Sequence, residues 1–304
     1  MLTQKQKEQI LQLQKGNIRL EEPMKNHTSF RIGGPAELFV EPDSEEVFGN
    51  LLVLLKKDNI PFVVIGAGSN LLVGDRGFRG VVIKTGKCFD FLKRSGEYIT
   101  AGSGVTLAKL AGFAAKEGLS GLEFASGIPG MVGGALYMNA GAYGGEMKDV
   151  VQKTYYYDDN GTKGFVENEE HGFAYRNSIF ANGGKYIVAT ELKLTPEDPE
   201  KIRLQMLTLN QKRKEKQPLS YPSAGSTFRR PEGYFAAKLI EDAGLKGVCV
   251  GGACVSEKHA GFVINKTGEA TAADVCALID KIKETVMQKY GVELHCEVKK
   301  IGDF

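Results

Sequence analysis

The chain has 304 residues, of which 42% are hydrophobic and 25% charged, as is typical of a folded globular protein. A net charge of +2 provides no overall basic field that would favour nucleic acid as a partner. The polar N-terminal segment lacks the apolar centre of a signal peptide, and no run of about 18 apolar residues predicts a membrane span. We therefore expect a cytoplasmic protein of roughly two domains without nucleic-acid or membrane partners.

Helices and strands follow one another along the chain without an internal repeat. Apolar spacing, caps and breakers predict, in chain order, a helix from Thr3 to Gly16, a helix over 44–59, a strand over 62–65, turns and short strands over 71–84, a helix from Thr106, strands over 154–157, 164–167 and 186–194, helices over 200–216 and 234–243, a strand over 260–265, a helix over 271–290 and a strand over 293–301. The strands between 154 and 194 are expected to form a mixed sheet. The predicted class is α+β.

The five cysteines are odd in number and follow no disulfide-framework pattern. Cys249 and Cys254, with His259 nearby, could be imagined as metal ligands, but their spacing matches no common zinc site. Small buried thiols are the better interpretation. The sequence therefore predicts reduced cysteines and no metal.

The 38 glycines are concentrated partly in two loops, at 66–71 and at 127–145. Backbone N–H groups bind phosphates, and the backbone approaches a pyrophosphate closely only where no Cβ intervenes. Either loop alone could simply serve tight turns. Two such loops about sixty residues apart predict a long anionic ligand, such as a dinucleotide.

Neither loop matches the common nucleotide fingerprints. The first begins like a Rossmann loop, but Leu71 occupies the position of the third glycine, and three further glycines over 74–80 disfavour the helix that should follow. The second lacks the Lys-Ser/Thr pair of a Walker A loop. These departures disfavour NAD binding of the Rossmann type.

Six short motifs occur in order between residues 26 and 302. They are NHTSFRIGG at 26–34, GAGSNLL at 66–72, the GIPG loop from 127 to 145, FAYRNS at 173–178, AGSTF at 224–228 and EVKKIG at 297–302. Each motif is weak alone, but together they closely resemble the UDP-N-acetylenolpyruvoylglucosamine reductases. The short stretch between 176 and 226 resembles the type II form of that family.

The resemblance implies an α+β fold with an FAD-binding domain of the vanillyl-alcohol-oxidase (PCMH) type and a C-terminal α+β substrate-binding domain. We expect a helix and lead-in over 1–29, a two-lobed FAD domain over 30–197, and a substrate domain over 198–304 whose last strand returns to the active site. It also implies non-covalent FAD, NADPH as the reductant, and conversion of the enolpyruvyl ether of UDP-N-acetylglucosamine to UDP-N-acetylmuramate for peptidoglycan, with the hydride delivered from flavin N5. A monomer is favoured.

The implied reaction creates negative charge on the carbon beside the substrate carboxylate, so the site needs a cation and an acid. By motif match, Ser226 would donate the proton, and Arg176 would stabilise the anion with its permanent charge and planar fork. Glu297 would donate a hydrogen bond if burial kept it protonated. Without the motifs, these would be an ordinary turn serine and two surface charges.

The resemblance also assigns binding residues. Tyr175 would line the substrate site, Lys216 would lie near the phosphates of UDP and NADPH, and Phe262 would face the uridine, although core packing is an equal alternative. The remainder of the basic run over 212–216 is expected to be a solvated helix end. The cofactor-binding residues would be Gly66, Gly68, Ser69, Asn70, Leu71, Gly127, Ile128, Pro129, Gly130, Gly133, Ala135 and Asn139.

Two other functions are alternatives to the reductase. One is another FAD-dependent oxidoreductase of the same fold that acts on a small alcohol or hydroxy acid, which would produce peroxide and need no NADPH. The other is a non-catalytic nucleotide- or RNA-binding module. This last hypothesis leaves the motifs around Arg176, Ser226 and Glu297 unexplained.

Overall fold

The computed structural model describes residues 1–14 and 16–304, and within them helices and strands are mixed, which confirms the α+β class. The α-helices are α1 Gln4–Leu13, α2 Glu45–Lys57, α3 Leu107–Lys116, α4 Val132–Tyr137, α5 Pro199–Lys216, α6 Ala236–Asp242 and α7 Ala272–Tyr290. The strands are β1 Ile18–Pro23, β2 Pro35–Val40, β3 Phe62–Ile65, β4 Leu71–Val73, β5 Phe78–Lys84, β6 Leu92–Ser95, β7 Tyr98–Gly102, β8 Leu119–Ser120, β9 Gly141–Ala142, β10 Gly145–Glu146, β11 Val151–Asp158, β12 Lys163–Glu167, β13 Lys185–Lys193, β14 Thr195–Pro196, β15 Cys249–Val250, β16 Ala253–Val255, β17 Val263–Asn265 and β18 Lys299–Ile301.

The described chain divides into two compact units that interleave in sequence. The first unit comprises Met1–Arg19, Leu38–Ala67 and Gly80–Arg213, and the second comprises Leu20–Glu37, Gly68–Arg79 and Lys214–Phe304. This division differs from the expected boundaries after residues 29 and 197. The reason is long-range burial, since Phe30, Ile32 and Leu72 belong to the hydrophobic core of the second unit.

The first unit is built around a five-stranded sheet with the order β12-β11-β13-β7-β6. Every neighbouring pair in it is antiparallel, so the expectation of a mixed sheet is wrong for these strands. Helices α3 and α4 contribute apolar side chains, including Leu110 and Leu136, to the same core as Leu192 of β13. Thr106 caps α3 as predicted, because its side chain accepts the Lys109 N–H.

The second unit combines the antiparallel sheet β15-β16-β17 with helices α6 and α7, while β18 pairs in parallel with β4. Helix α7 begins with the predicted capping box of Thr271 and Asp274 and ends at Gly291, whose φ is 65°. The Asp75 carboxylate adds a second cap, which sequence reasoning missed, by accepting the N–H groups of Ala272 and Ala273 at 2.7 and 2.9 Å.

The cysteine prediction is wrong for one pair, because Cys249 and Cys254 form a disulfide. They occupy directly opposite positions on β15 and β16, so the antiparallel register brings their side chains together. Cys88, Cys276 and Cys296 are free thiols.

Several predicted boundaries also differ. The loop over 127–145 contains helix α4, and the strands predicted over 260–265 and 293–301 are confined to β17 and β18. No helix in the described residues has the length and apolar character needed to cross a bilayer.

Candidate active site

Arg176 lies at the tip of a tight turn in the first unit. Ala174 and Asn177 exchange two backbone hydrogen bonds, of 3.1 and 3.2 Å, and enclose Tyr175 and Arg176 between them. Arg176 has a φ of 55°, a left-handed conformation that is uncommon for a side chain of this size. Its guanidinium lies 5.1 Å from the Tyr175 ring centroid and donates a long hydrogen bond to the Gly141 carbonyl at 3.5 Å. A strained conformation held by such contacts is typical of functional residues.

Ser226 and Glu297 lie in the second unit, and the backbone joins their neighbourhoods. The Glu297 N–H donates to the Thr227 carbonyl at 2.8 Å, so the residue after Ser226 pairs directly with the candidate acid. Thr227 is fixed further by its own N–H, which donates to the Gly261 carbonyl at 2.8 Å. Glu297 is only 8% exposed, whereas Ser226 is half-buried.

The first glycine loop is hydrogen-bonded to the segment that contains Glu297, through residues of the second unit. The Asn70 side-chain amide donates to the Glu297 carbonyl at 3.1 Å, and the Asn70 carbonyl accepts the Lys299 N–H at 3.0 Å. Leu71 begins β4, which pairs with β18. Residues 68–72 of the first loop therefore meet the motifs at 224–228 and 297–302 in this unit.

Gly68 has a structural reason to be glycine. Its φ is 63°, and a Cβ there would lie 2.1 Å from the carbonyl oxygen of His27. Ser29 holds the loop from the same side, because its N–H donates to the Gly68 carbonyl at 3.3 Å and its hydroxyl donates to the Ser223 carbonyl at 2.7 Å. These contacts explain why the motif at 26–34 accompanies the loop.

The second glycine loop belongs to the first unit and is held against the turn that follows β7. The Val132 N–H donates to the Val105 carbonyl at 2.9 Å, and the Gly133 N–H donates to the Ser103 carbonyl at 3.0 Å. A Cβ at Gly133 would lie 3.0 Å from the Ser103 Cβ, so a larger residue would push the two segments apart. Among the described residues, the fully buried Ser103 hydroxyl has no hydrogen-bond partner.

The predicted cofactor residues in this loop differ in what their side chains face. Ala135 is 4% exposed and packs in the hydrophobic core, and Ile128 packs partly against that core. Pro129 is exposed, while Gly127 and Gly130 are half-buried. Asn139 is fully buried and hydrogen-bonded within the protein.

The predicted substrate residues also differ in how far their side chains are exposed. Tyr175 is 51% exposed and Lys216 is exposed at the end of α5. Phe262 is 5% exposed and packs with Cys254 and Ile264, which agrees with the core-packing alternative.

Arg213 is the cation of the basic run that lies beside the second loop. It is half-buried, and a Cβ at Gly127 would lie 3.1 Å from its Cδ. Burial lowers the pKa of the Arg213 guanidinium, while the nearby Tyr143 opposes the shift. In residues 1–14 and 16–304 it has no carboxylate partner, so its charge is available to an anionic ligand. Sequence reasoning missed it because a run of lysines and arginines at a helix end resembles a solvated terminus.

Comparisons with known proteins agree with the motifs and the geometry. The FAD binding domain family matches residues 36–163, and the family of UDP-N-acetylenolpyruvoylglucosamine reductase C-terminal domains matches residues 217–301. The UDP-N-acetylenolpyruvoylglucosamine reductase of Agathobacter rectalis is 52% identical, with 98% of this chain and 97% of that protein covered. The enzyme of the same name from Caldanaerobacter subterraneus subsp. tengcongensis is 50% identical, with 96% of each chain covered.

A solved structure supports the same assignment. The crystal structure of UDP-N-acetylenolpyruvylglucosamine reductase from Thermus caldophilus aligns with a TM-score of 0.81 at 34% identity, covering 93% of this chain and 99% of that one. The resemblance inferred from the six motifs is thereby confirmed. The chain belongs to the UDP-N-acetylenolpyruvoylglucosamine reductase family, whose members are FAD-dependent oxidoreductases.

Proposed function

We propose that this protein reduces the enolpyruvyl ether of UDP-N-acetylglucosamine to UDP-N-acetylmuramate, with NADPH as the reductant and FAD as the bound cofactor. One observation carries the proposal: the Glu297 backbone pairs with Thr227, beside Ser226, and receives the amide of Asn70 from the first glycine loop. A candidate proton donor, a buried acid and a predicted cofactor loop thus occur together in one unit. The product is a precursor of peptidoglycan, and both the sugar nucleotide and NADPH are metabolites of the cytoplasm, which supports that location.

The residues of the two glycine loops fit a dinucleotide. In the first unit, the buried Ser103 hydroxyl without a partner and the close approach at Gly133 leave a polar, Cβ-free surface, which suits a pyrophosphate. Gly127 and Gly130, together with Gly66, would offer backbone at this surface. When bound, FAD would supply the hydride that the methylene carbon of the enol ether accepts.

Each of the three proposed catalytic residues meets a different need of the substrate. Arg176 would hold the substrate carboxylate and stabilise the charge that develops there, because a guanidinium binds carboxylate through two parallel hydrogen bonds. Ser226 would transfer its hydroxyl proton to the carbon beside the carboxylate, and a water relay would return a proton to its oxygen. Glu297, which is 8% exposed, would donate a hydrogen bond to the anion in its protonated form.

Substrate binding would draw on three further side chains. The half-buried Arg213 would bind a phosphate of the sugar nucleotide or of NADPH, and Lys216 would add a second positive charge. Tyr175, exposed at the tip of the Arg176 turn, would contact the sugar. Phe262 would act by supporting the Ser226 loop rather than by facing the uridine.

The test separates the two half-reactions of the holoenzyme under anaerobic conditions. NADPH should bleach the flavin absorbance, and the enolpyruvyl sugar nucleotide should restore it. Ser226→Ala should leave bleaching intact and slow the restoration by about 10²–10⁴-fold, the usual contribution of general acid catalysis. Ser95→Ala, at an exposed position on β6, is the matched control and should change neither step.

Three outcomes would contradict the proposal or one of its parts. Flavin that NADPH bleaches but the sugar nucleotide does not reoxidise would exclude this substrate. Equal slowing of both half-reactions in Ser226→Ala would mean that Ser226 does not deliver the proton. Substrate-dependent peroxide formation without NADPH would instead indicate the alcohol or hydroxy-acid oxidase.

A further inference from the structure

We propose that Asn139 is a positioning residue for Arg176 and not a ligand of the cofactor. The inference rests on the proposed function, in which Arg176 holds the substrate carboxylate. Asn139 follows α4, is fully buried and has a φ of 44°, in the left-handed region. A buried polar side chain in such a conformation is retained only where its hydrogen bonds require it.

The hydrogen-bonding capacity of the Asn139 amide is used inside the protein. Its Nδ2 donates to Glu146 Oε2 at 2.6 Å and to the Ala174 carbonyl at 3.2 Å. Its Oδ1 accepts the Lys148 N–H at 3.0 Å. An amide has two N–H donors, and both are occupied, which leaves no donor for a phosphate.

These partners connect the two segments that surround the Arg176 guanidinium. Ala174 closes the turn that carries Arg176, and the same carbonyl accepts the Asn177 N–H. Glu146 lies on β10, directly opposite Gly141 on β9, and the Gly141 carbonyl accepts the hydrogen bond from Arg176. One amide therefore fixes the distance between the base of the turn and the hairpin that its arginine contacts.

Other contacts support this arrangement from both sides. The Ser178 hydroxyl, also fully buried, donates to the Tyr137 carbonyl at 2.8 Å and so ties the far end of the turn to α4. Glu146 is held in place by an ion pair with Lys148. The turn is short, and Arg176 has a left-handed backbone conformation within it. Loss of the Asn139 amide should therefore let the guanidinium tilt away from the substrate carboxylate.

The experiment uses the holoenzyme and the two half-reactions described above. Asn139→Ala removes the amide, and Asn139→Asp keeps its volume and the acceptor for Lys148 but has no N–H for Ala174. Both variants should slow flavin reoxidation by the sugar nucleotide by about ten- to hundredfold, the cost of a small misplacement of a catalytic group. FAD affinity and bleaching by NADPH should be unchanged.

A double-mutant cycle shows whether the effect passes through Arg176. Asn139→Ala combined with Arg176→Ala should be no slower than Arg176→Ala alone, because a positioning residue has nothing left to position. Tyr157→Phe is the stability control: Tyr157 is 5% exposed in the first unit, packs on Phe48, and its hydroxyl donates to Glu45 at 3.2 Å, on the α2 side of the sheet. It should lower the melting temperature without changing reoxidation.

The outcomes separate this inference from the proposed function. If Arg176→Ala leaves reoxidation unchanged, the role of Arg176 itself is wrong. If Arg176→Ala slows reoxidation but Asn139→Ala weakens FAD binding, or if the two effects multiply, Asn139 is not a positioning residue. Should both Asn139 variants fail to fold, Glu146→Ala tests the same link from the hairpin, where its side chain is 28% exposed, and must show the same selective loss.

Discussion

His171 is a fully buried histidine whose hydrogen bonds fix a hydrogen on Nδ1. Its Nδ1 lies 2.8 Å from the Asn168 carbonyl, which can only accept, so Nδ1 carries the hydrogen. Its Nε2 lies 2.9 Å from the Thr154 hydroxyl, which donates to it while the ring is neutral. The ring stacks on Phe173, 4.8 Å away, next to the turn that carries Arg176. Burial lowers the pKa of His171, and the Asn168 carbonyl opposes the shift only in part.

This arrangement predicts a loss of stability in mild acid. In the unfolded chain a histidine takes up a proton near pH 6.5, whereas folded His171 takes it up only at lower pH. The free energy of unfolding should therefore be insensitive to this residue above about pH 7.5 and fall below about pH 6.5, by at most ~1.4 kcal/mol per pH unit. Urea unfolding between about pH 5.5 and 8 measures the slope.

The matched variants isolate this contribution. His171→Gln should reduce the pH dependence of the free energy of unfolding by the contribution of one titrating group. The side chain of His295 is 67% exposed, and His295→Gln should leave that pH dependence unchanged. His259, whose pKa burial also lowers, contributes its own share in both variants. An unaltered slope in His171→Gln would contradict the assignment.

At the scale of elements, the hairpin of β15 and β16 is closed by a disulfide between residues five apart in sequence. Cys249 is exposed, while Cys254 is buried against Phe262 and Ile264. The strand β17 that carries Ile264 also supports the Ser226 loop, because the Val263 N–H donates to the Thr227 hydroxyl at 3.0 Å. The cross-link thus stabilises a sheet on which a candidate catalytic loop rests.

We expect the peptide that contains this hairpin to gain two hydrogens in mass when the purified protein is reduced. Closing a loop of this length stabilises a protein by about 2 kcal/mol, so a phosphine reductant should lower the free energy of unfolding by about that amount. The double variant Cys249→Ser with Cys254→Ala should not respond to the reductant. A peptide whose mass is the same before and after reduction would show that the thiols are free.

Elements with local signals were predicted from the sequence, and elements held by distant contacts were not. Helix α7 has its cap, its apolar spacing and its terminal glycine in one continuous stretch, so all three could be recognised. Helix α4 contains two adjacent glycines, and its first N–H groups donate hydrogen bonds to the carbonyls of Val105 and Ser103, which sequence reasoning cannot see. The strand β7 lies inside its sheet, between β13 and β6, but it is only five residues long and was not predicted.

Prediction of the site from the sequence is limited in the same way. The motifs pointed to Arg176, Ser226 and Glu297, and their roles stay predictions until the variants are measured. The contacts of Asn139 and Asp75 join segments that are distant in sequence, so no local pattern indicates them. Ser103 lies between two glycines, at 102 and 104, and that spacing is the one signal that could have drawn attention to it.

At the scale of the whole molecule, neither unit is a continuous piece of chain. A fragment of residues 1–213 contains every segment of the first unit, but it also carries 20–37 and 68–79, which belong to the second. In that fragment Phe30, Ile32 and Leu72 would lose the core in which they are at most 2% exposed. Their exposure creates an apolar patch of the kind that drives aggregation.

We therefore predict that the 1–213 fragment, expressed alone, is largely insoluble. Co-expression with a 214–304 fragment should restore solubility, because β4 and Leu72 regain their partners in the second unit. Size-exclusion chromatography and flavin absorbance of the two preparations make the comparison. A soluble, monomeric and yellow 1–213 fragment would show that the first unit folds without the rest of the chain.

The pairing of β4 with β18 also constrains how the protein is made. Val73 and Ile301 are neighbours in the folded enzyme, but a ribosome adding about 5–20 residues per second needs roughly 10–50 s to travel from one to the other. During that interval β4 is outside the ribosome with neither its strand partner nor its core. The second unit must therefore complete its folding after synthesis has passed residue 301. Until then the apolar segment around Leu72 has no partner, and we expect chaperones to bind the nascent chain there.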